Sequence, residues 1–211
     1  MKLTIFGATG TTGTTITAQA LAAGHDVTAV VRDASRLTIP DHQRLRVVTA
    51  DVMDPTSISQ AVGDADAVIS ALGPRGTGPT TVIRDSVHSI IAAMDKTGSR
   101  RFVEVSGSIV ADEGESLYMR YLVKPLARRT FLRHVCADMR AGENEIRGSD
   151  LDWTIVRPPS LNDKQATGSY RTAIDQNLPH GFSISRADLA ACMLALVDDP
   201  ASVHRHVAIA N

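Results

Sequence analysis

Short segments that are apolar on both faces alternate along this chain with segments of helical period. That alternation constrains the fold more than any other feature. The strands read as residues 2–6, 26–31, 45–50, 65–72, 100–106, 151–158 and 206–210. The helices read as 11–23, 55–62, 80–94 and 186–198, with 117–148 mainly helical and Pro125 a break within it. Gly24 suits a helix C-terminus, Pro55 a helix start and Ser185 an N-cap. In 80–94, Val82, Ile83, Val87, Ile90, Ile91 and Met94 mark one helical face. Strands apolar on both faces belong in a parallel sheet covered by helices. A βαβ alternation then winds doubly, with right-handed crossovers. The segment 159–184 breaks the pattern. It is polar and rich in turn residues, and reads as a small irregular cap at the carboxyl ends of the strands.

The turn between the first strand and first helix is "FGATGTTGTT". Its glycines are spaced G-x-x-G-x-x-G. Gly7 permits a tight turn, Gly10 lets backbone approach a pyrophosphate, and Gly13 lets the helix pack closely on the sheet. First-turn N–H groups and the helix dipole then face an anion. Thr9, Thr11 and Thr12 are placed to cap those groups or donate to phosphate oxygens. Thr14 and Thr15 read as helix-surface or packing residues. The expected fold class is therefore α/β, a Rossmann-like doubly wound parallel sheet. At 211 residues it is read as a single NAD(P)-binding domain, 1–211.

The end of the second strand selects the dinucleotide. An NAD site places an acid there for the ribose hydroxyls. This chain has "VVRDASRL", with Arg32 at that place and Arg36 four residues on. Two guanidinium groups suit a 2′-phosphate, so NADP (NADPH) is the expected cofactor. Arg36 also reads as a surface arginine paired with Asp33. Asp51 and Val52 follow the third strand and can flank the adenine; Asp51 also reads as a cap for the Pro55 helix. Ala71, Leu72 and Gly73 end the fourth strand and can run past the cofactor as backbone, or form an ordinary loop. Arg157, Pro158, Pro159 and Ser160 end the sixth strand and can wall the nicotinamide end. Arg157 can instead tie the cap down by pairing with Asp163 or another acid.

A Tyr-x-x-x-Lys acid is absent. Four residues beyond Tyr118, Tyr121 and Tyr170 stand Leu122, Pro125 and Ile174. This argues against an ordinary alcohol dehydrogenase. Ser106 and Ser108, at the end of the fifth strand, are the candidate catalytic residues. Either can hydrogen-bond a carboxamide or a substrate, or serve as a turn serine.

Composition narrows the partners. The chain is 43% hydrophobic and 21% charged, with a formal net charge of −1, so it carries no electrostatic footprint for nucleic acid or an anionic membrane. No apolar run is long enough to span a bilayer, and "MKLTIFGATG" has no signal-peptide layout; a cytoplasmic location is expected. Cys136 and Cys192 read as buried thiols. His204 and His206 share a strand face, read as solvated rather than metal-binding, and no metal site is expected.

Nine stretches carry a family resemblance: "IFGATGTTG", "VRDASRL", "DVMD", "ALGPRG", "PTTVIRDSVHSIIAAM", "VEVSGS", "LDWTIVRPPSL", "TGSYR" and "ISRADLA". In this order the chain resembles the NAD(P)H-binding, NmrA-like branch of the atypical short-chain dehydrogenases, and within it the biliverdin-IXβ reductase/flavin reductase family. The resemblance implies a Rossmann core that binds NADPH and passes hydride to flavins, quinone-like acceptors or linear tetrapyrroles. Gly7, Thr9, Gly10, Thr11, Thr12, Arg32, Arg36, Asp51, Val52, Leu72 and Gly73 match the family's cofactor positions. The chain departs from the family at Ser106-Gly107, where the family has Thr-Ser, and at Ser160, where it has histidine. Both departures lie near the acceptor, so a flavin or quinone is expected rather than a tetrapyrrole. The alternative is a non-catalytic NADP(H)-sensing regulator of the NmrA-like type. A nucleotide-sugar isomerase or dehydratase is disfavoured by the missing Tyr-Lys pair. The expected assembly is a monomer or small homo-oligomer.

Overall fold

The computed structural model describes residues 1–111 and 132–211. Its strands are β1 (Lys2–Phe6), β2 (Asp26–Val31), β3 (Leu45–Thr49), β4 (Ala67–Ser70), β5 (Arg101–Val105), β6 (Asp152–Arg157), β7 (Ser160–Asn162), β8 (Arg171–Ile174), β9 (Ser183–Ser185) and β10 (Arg205–Ala210). Eight of them form one sheet in the order β3-β2-β1-β4-β5-β6-β10-β8. Every pairing in it is parallel except that of β10 with β8. Helices α1 (Thr11–Ala22) and α5 (Arg186–Val197) cover one face. Helices α2 (Pro55–Gly63), α3 (Val82–Thr97) and α4 (Arg133–Arg147) cover the other. Central strands therefore bury both sides, as their apolar sequences require: Ile5, Ile69 and Val103 face α1 and α5, while Phe6, Val68 and Phe102 face α2 and α3.

Local signals set the helix ends. Gly24 takes φ +83 just past α1. The Asp54 carboxylate caps α2, accepting from Thr56 N at 2.9 Å, with Pro55 in the first turn. The cap expected of Asp51 thus falls on Asp54; Asp51 instead accepts from Met53 N. Ser185 caps α5 through Asp188 N. The Asp188 carboxylate also gathers Thr167 N, Thr167 Oγ1 and Gly168 N, which clips the loop before β8 onto the helix start. Burial opposes ionisation of Asp188, but these hydrogen bonds prevail and hold its carboxyl below its ordinary value.

Two expectations need correction. The cap is more regular than read: β7 and β9 pair, and β8 joins the main sheet as an antiparallel edge strand. His204 and His206 do not share a strand face: His204 is exposed in the turn before β10 and His206 is half-buried on it, and their rings meet Trp153 at 5.6 and 5.4 Å. Residues 112–131, with most of the expected Pro125 region, Tyr118 and Tyr121, lie outside the described residues. Cys136 and Cys192 are buried and unbridged, and burial pushes the Cys192 thiol up to about 12. Among the described residues no helix is long and apolar enough to cross a membrane.

Glu104 is an unusual core residue. It is 2% exposed on β5, and among the described residues neither carboxyl oxygen has a hydrogen-bond partner. The hydroxyl of Ser70, opposite it on β4, is also unpartnered. Burial raises the Glu104 carboxyl well above its ordinary value. Nearby Ser70 offsets part of this, and the Glu143 charge adds to it. The unfolded carboxyl releases its proton near pH 4.5 while the folded one keeps it, so this group's contribution is greatest below that pH and is lost as pH rises. Denaturant melts of the parent should therefore carry a negative slope of up to about 1.4 kcal/mol per pH unit above the unfolded value. Glu104→Gln should flatten it. Parallel stability–pH curves for the two proteins would contradict a neutral Glu104.

Candidate functional site

Strands β3 to β6 run the same way, so their carboxyl ends meet along one edge. In spatial order that edge carries Asp51 and Val52 after β3, Arg32 after β2, Gly7 after β1, Ala71 to Gly73 after β4, Ser106 to Ser108 after β5, and Pro158 after β6. Chain order reverses at β1, which pairs with both β2 and β4. Open α/β sheets take ligands in that crevice.

Two glycines there admit no side chain. Gly7 has φ +84, and a Cβ on it would stand 2.6 Å from Ala71 O. A Cβ on Gly13 would stand 2.1 Å from Gly7 O. Gly10 is the exposed N-cap of α1, and the first turn has neither a side-chain cap nor an acid. Thr14 and Thr15 spend their hydroxyls on Ala8 O and Thr11 O, as packing residues would. Thr9, Thr11 and Thr12 surround the same turn. An uncapped helix start with unopposed N–H groups fits a pyrophosphate.

Arg32 and Arg36 are exposed at the end of β2 and pair with no carboxylate among the described residues. The pairing read for Arg36 with Asp33 is replaced by a turn. The Asp33 carboxylate accepts from Ser35 N at 3.0 Å and Ser35 Oγ at 2.6 Å. Those bonds hold the Asp33 carboxyl below its ordinary value. Both guanidinium groups are left able to take a phosphate. Val52 is buried and Asp51 is exposed, while Ala71 and Leu72 are half-buried where they pass Gly7.

At the other end of the edge the structure departs from the sequence reading. Arg157 does not present its guanidinium to the nicotinamide end, nor does it pair with Asp163, which binds Arg186 at 2.7 Å. Instead Arg157 Nε and Nη2 donate to Glu143 Oε1 and Oε2 at 3.0 and 2.6 Å. Ser106 Oγ donates to the same Oε1 at 2.7 Å. Arg157, Glu143 and Ser106 are 8%, 4% and 8% exposed, so this is a buried array. It ties β5 and β6 to α4. Because Ser106 gives its proton to Glu143, its remaining lone pairs can only accept from a ligand.

Helix α4 is fixed at a second place. Asp138 accepts from Ile83 N at 3.1 Å and Arg84 N at 3.0 Å, capping α3 from across the helix pair. Gly142 allows the approach: a Cβ there would stand 2.9 Å from Ile83 Cγ2. So held, α4 turns Val135, Cys136 and Met139 to a cavity of about 550 Å³. Its floor is Ser106 to Ile109 with Pro158 and Pro159; cap residues Leu178 to Phe182 close the far side. Ser106, Ser108 and Pro158 thus meet at one cavity. Tyr170, the one tyrosine within the described residues, packs on the α5 core beside Cys192 instead.

Sequence reasoning missed Glu143, Asp138 and His180. The first two had a signal. Glu143 stands three residues before Ile146 and four after Met139, on the apolar stripe of a helix where a charge needs a partner. Losing one member of such a pair leaves the other without its counter-charge. Glu143→Ala should cost about 3–5 kcal/mol in urea unfolding. Adding Arg157→Ala should cost much less than the sum of the single effects. Additive single effects would mean that the pair carries no coupling.

The sequence profile described as NAD(P)H-binding matches residues 7–200. An uncharacterized chloroplastic protein of Arabidopsis thaliana is 34% identical over 200 residues, 90% of this chain and 69% of its own. ChuY, an anaerobillin reductase from Escherichia coli, superposes with a TM-score of 0.77 at 26% identity, covering 100% of this chain and 97% of that one. A short-chain dehydrogenase/reductase of Veillonella parvula, solved with NADP, reaches 0.83 at 20% identity over 100% of this chain and 94% of that one, a likeness of fold. With its glycine turn at the switch point of a parallel sheet, the chain belongs to the NAD(P)H-binding family of Rossmann-fold oxidoreductases.

Proposed function

We propose that this protein is an NADPH-dependent reductase whose acceptor is flavin-like or quinone-like. The observation that carries the reading is the continuous edge: glycine turn, paired arginines and the β4 backbone lead into the cavity at Ser106 and Ser108. Gly7, Thr9, Gly10, Thr11, Thr12 and Gly13 hold the pyrophosphate. Arg32 and Arg36 take the 2′-phosphate. Asp51 and Val52 flank the adenine, and Ala71, Leu72 and Gly73 pass the middle of the cofactor. Pro158 walls the nicotinamide end. The cofactor supplies the hydride; this chain orients it and keeps water from it. Ser106 accepts a hydrogen bond from a carboxamide N–H or from the acceptor, and Ser108 stands beside it. Arg157 acts through Glu143 to hold Ser106, a positioning role. ChuY, a reductase by its own description, supports turnover over sensing.

Stopped-flow oxidation of NADPH with FMN, FAD or a quinone separates the enzyme from a sensor. Saturable oxidation supports the reductase; tight NADPH binding with no acceptor reduced would leave the sensing reading. For cofactor choice, each charge-assisted hydrogen bond contributes about 1.5–3 kcal/mol, so NADPH should bind about 10²-fold more tightly than NADH. Arg32→Glu should weaken NADPH far more than NADH by calorimetry. Equal affinities in the parent would rule out the arginine clamp.

A further inference from the structure

Ser106 has its proton committed to Glu143, and so cannot serve an acceptor as an acid. Two described lining residues carry a proton that can dissociate: Cys136 and His180. Cys136 is 2% exposed on the inner side of α4, where a thiolate is costly to form and slow to reprotonate. His180 lines the same cavity from the cap and is exposed, so bulk water can restore its proton after each turnover.

The fold holds His180 there. Its backbone takes φ +58, a left-handed conformation uncommon outside glycine. The loop around it is pinned on three sides. A Cβ on Gly181 would stand 2.7 Å from Ala210 Cβ, so the backbone lies directly on the end of β10. Arg171 Nη1 donates to Pro179 O at 3.0 Å, and Asn211 N to Ser183 O at 3.1 Å. The ring meets Phe182 edge-on at 6.4 Å, and Phe182, 66% exposed, offers an aromatic surface on the same wall. A left-handed residue fixed by its neighbours at a cavity wall is where backbone strain accompanies function.

We infer that His180 is the proton donor to the acceptor, and that the acceptor class it serves is the carbonyl-bearing quinones, with Phe182 as a stacking surface. This rests on the reductase reading above. A para-quinone gains hydride at one oxygen as the C4–H bond of the reduced nicotinamide breaks. The ring becomes aromatic, and the electron pair left on the other oxygen takes the proton from the His180 imidazolium. Hydroquinone and the oxidised nicotinamide leave, and water reprotonates the neutral imidazole. A flavin spreads the incoming charge over its own ring and needs this proton less.

Duroquinone, whose ring is fully substituted against thiol addition, is the probe, and FMN the comparison. In single-turnover oxidation of NADPH, His180→Gln should slow duroquinone reduction by about 10²-fold. FMN reduction should fall far less. Free imidazole should restore part of the lost duroquinone rate in His180→Ala. Independently of turnover, duroquinone titrated into the NADP⁺ complex should shift the His180 ring resonances, assigned by their absence in His180→Gln. Equal losses with both acceptors, or an unmoved His180 ring in a parent that reduces duroquinone, would overturn the proposal alone. A parent that reduces neither acceptor would overturn the reductase reading and this proposal with it.

Discussion

The Glu143 carboxylate is where the sheet, the helix layer and the cavity floor are joined. Its two oxygens accept three hydrogen bonds, two from Arg157 on β6 and one from Ser106 beyond β5. A buried ion pair of this kind contributes little net stability against an apolar alternative, because both charges must leave water. Its three bonds tie β5 and β6 to α4. The strands must then end at a fixed height, since Ser106 N bonds Val156 O and Ser108 N bonds Pro158 O on the same two segments. The cavity floor takes its shape from that lock.

The opposite half of the edge is governed by close approach. Gly7 and Gly13 let α1 sit on the turn with backbone against backbone, and any Cβ would force them apart. The helix start is thereby brought to the carboxyl end of β1 with its donors unspent. The two halves obey different physics. One is defined by missing side chains that let backbone approach backbone, the other by charged side chains that fix the floor of a cavity.

Local signals were legible in the sequence, and pairings across distance were not. The central strands declared themselves because burial on both faces removes polar residues, and the glycine turn because its spacing has a steric cause. The strand β8 was missed because it is an edge strand: Arg171, Thr172 and Ile174 are exposed, so no face is uniformly apolar. That Arg157 would pair with an acid was legible, but which acid was not: Asp163, six residues away, is the near one, whereas α4 brings Glu143 from fourteen residues upstream. His180 carried no periodic signal at all; its place depends on Gly181 meeting Ala210 across the end of the sheet. The His204–Trp153–His206 cluster is likewise a product of β10 pairing with β6.

Two glutamates on the same side of the sheet show how environment divides identical chemistry. Glu143 is met by a guanidinium and a hydroxyl, both of which donate to its carboxylate. Glu104 has no such partner, and burial keeps its proton on; the anionic Glu143 reinforces that state. The assignments depend on each other. The Glu143 charge adds to the burial that raises the Glu104 carboxyl, and Glu104 does not line the cavity. The Ser106 hydroxyl at the cavity floor is thus left to accept hydrogen bonds, while Glu104, 2% exposed, stays in the core.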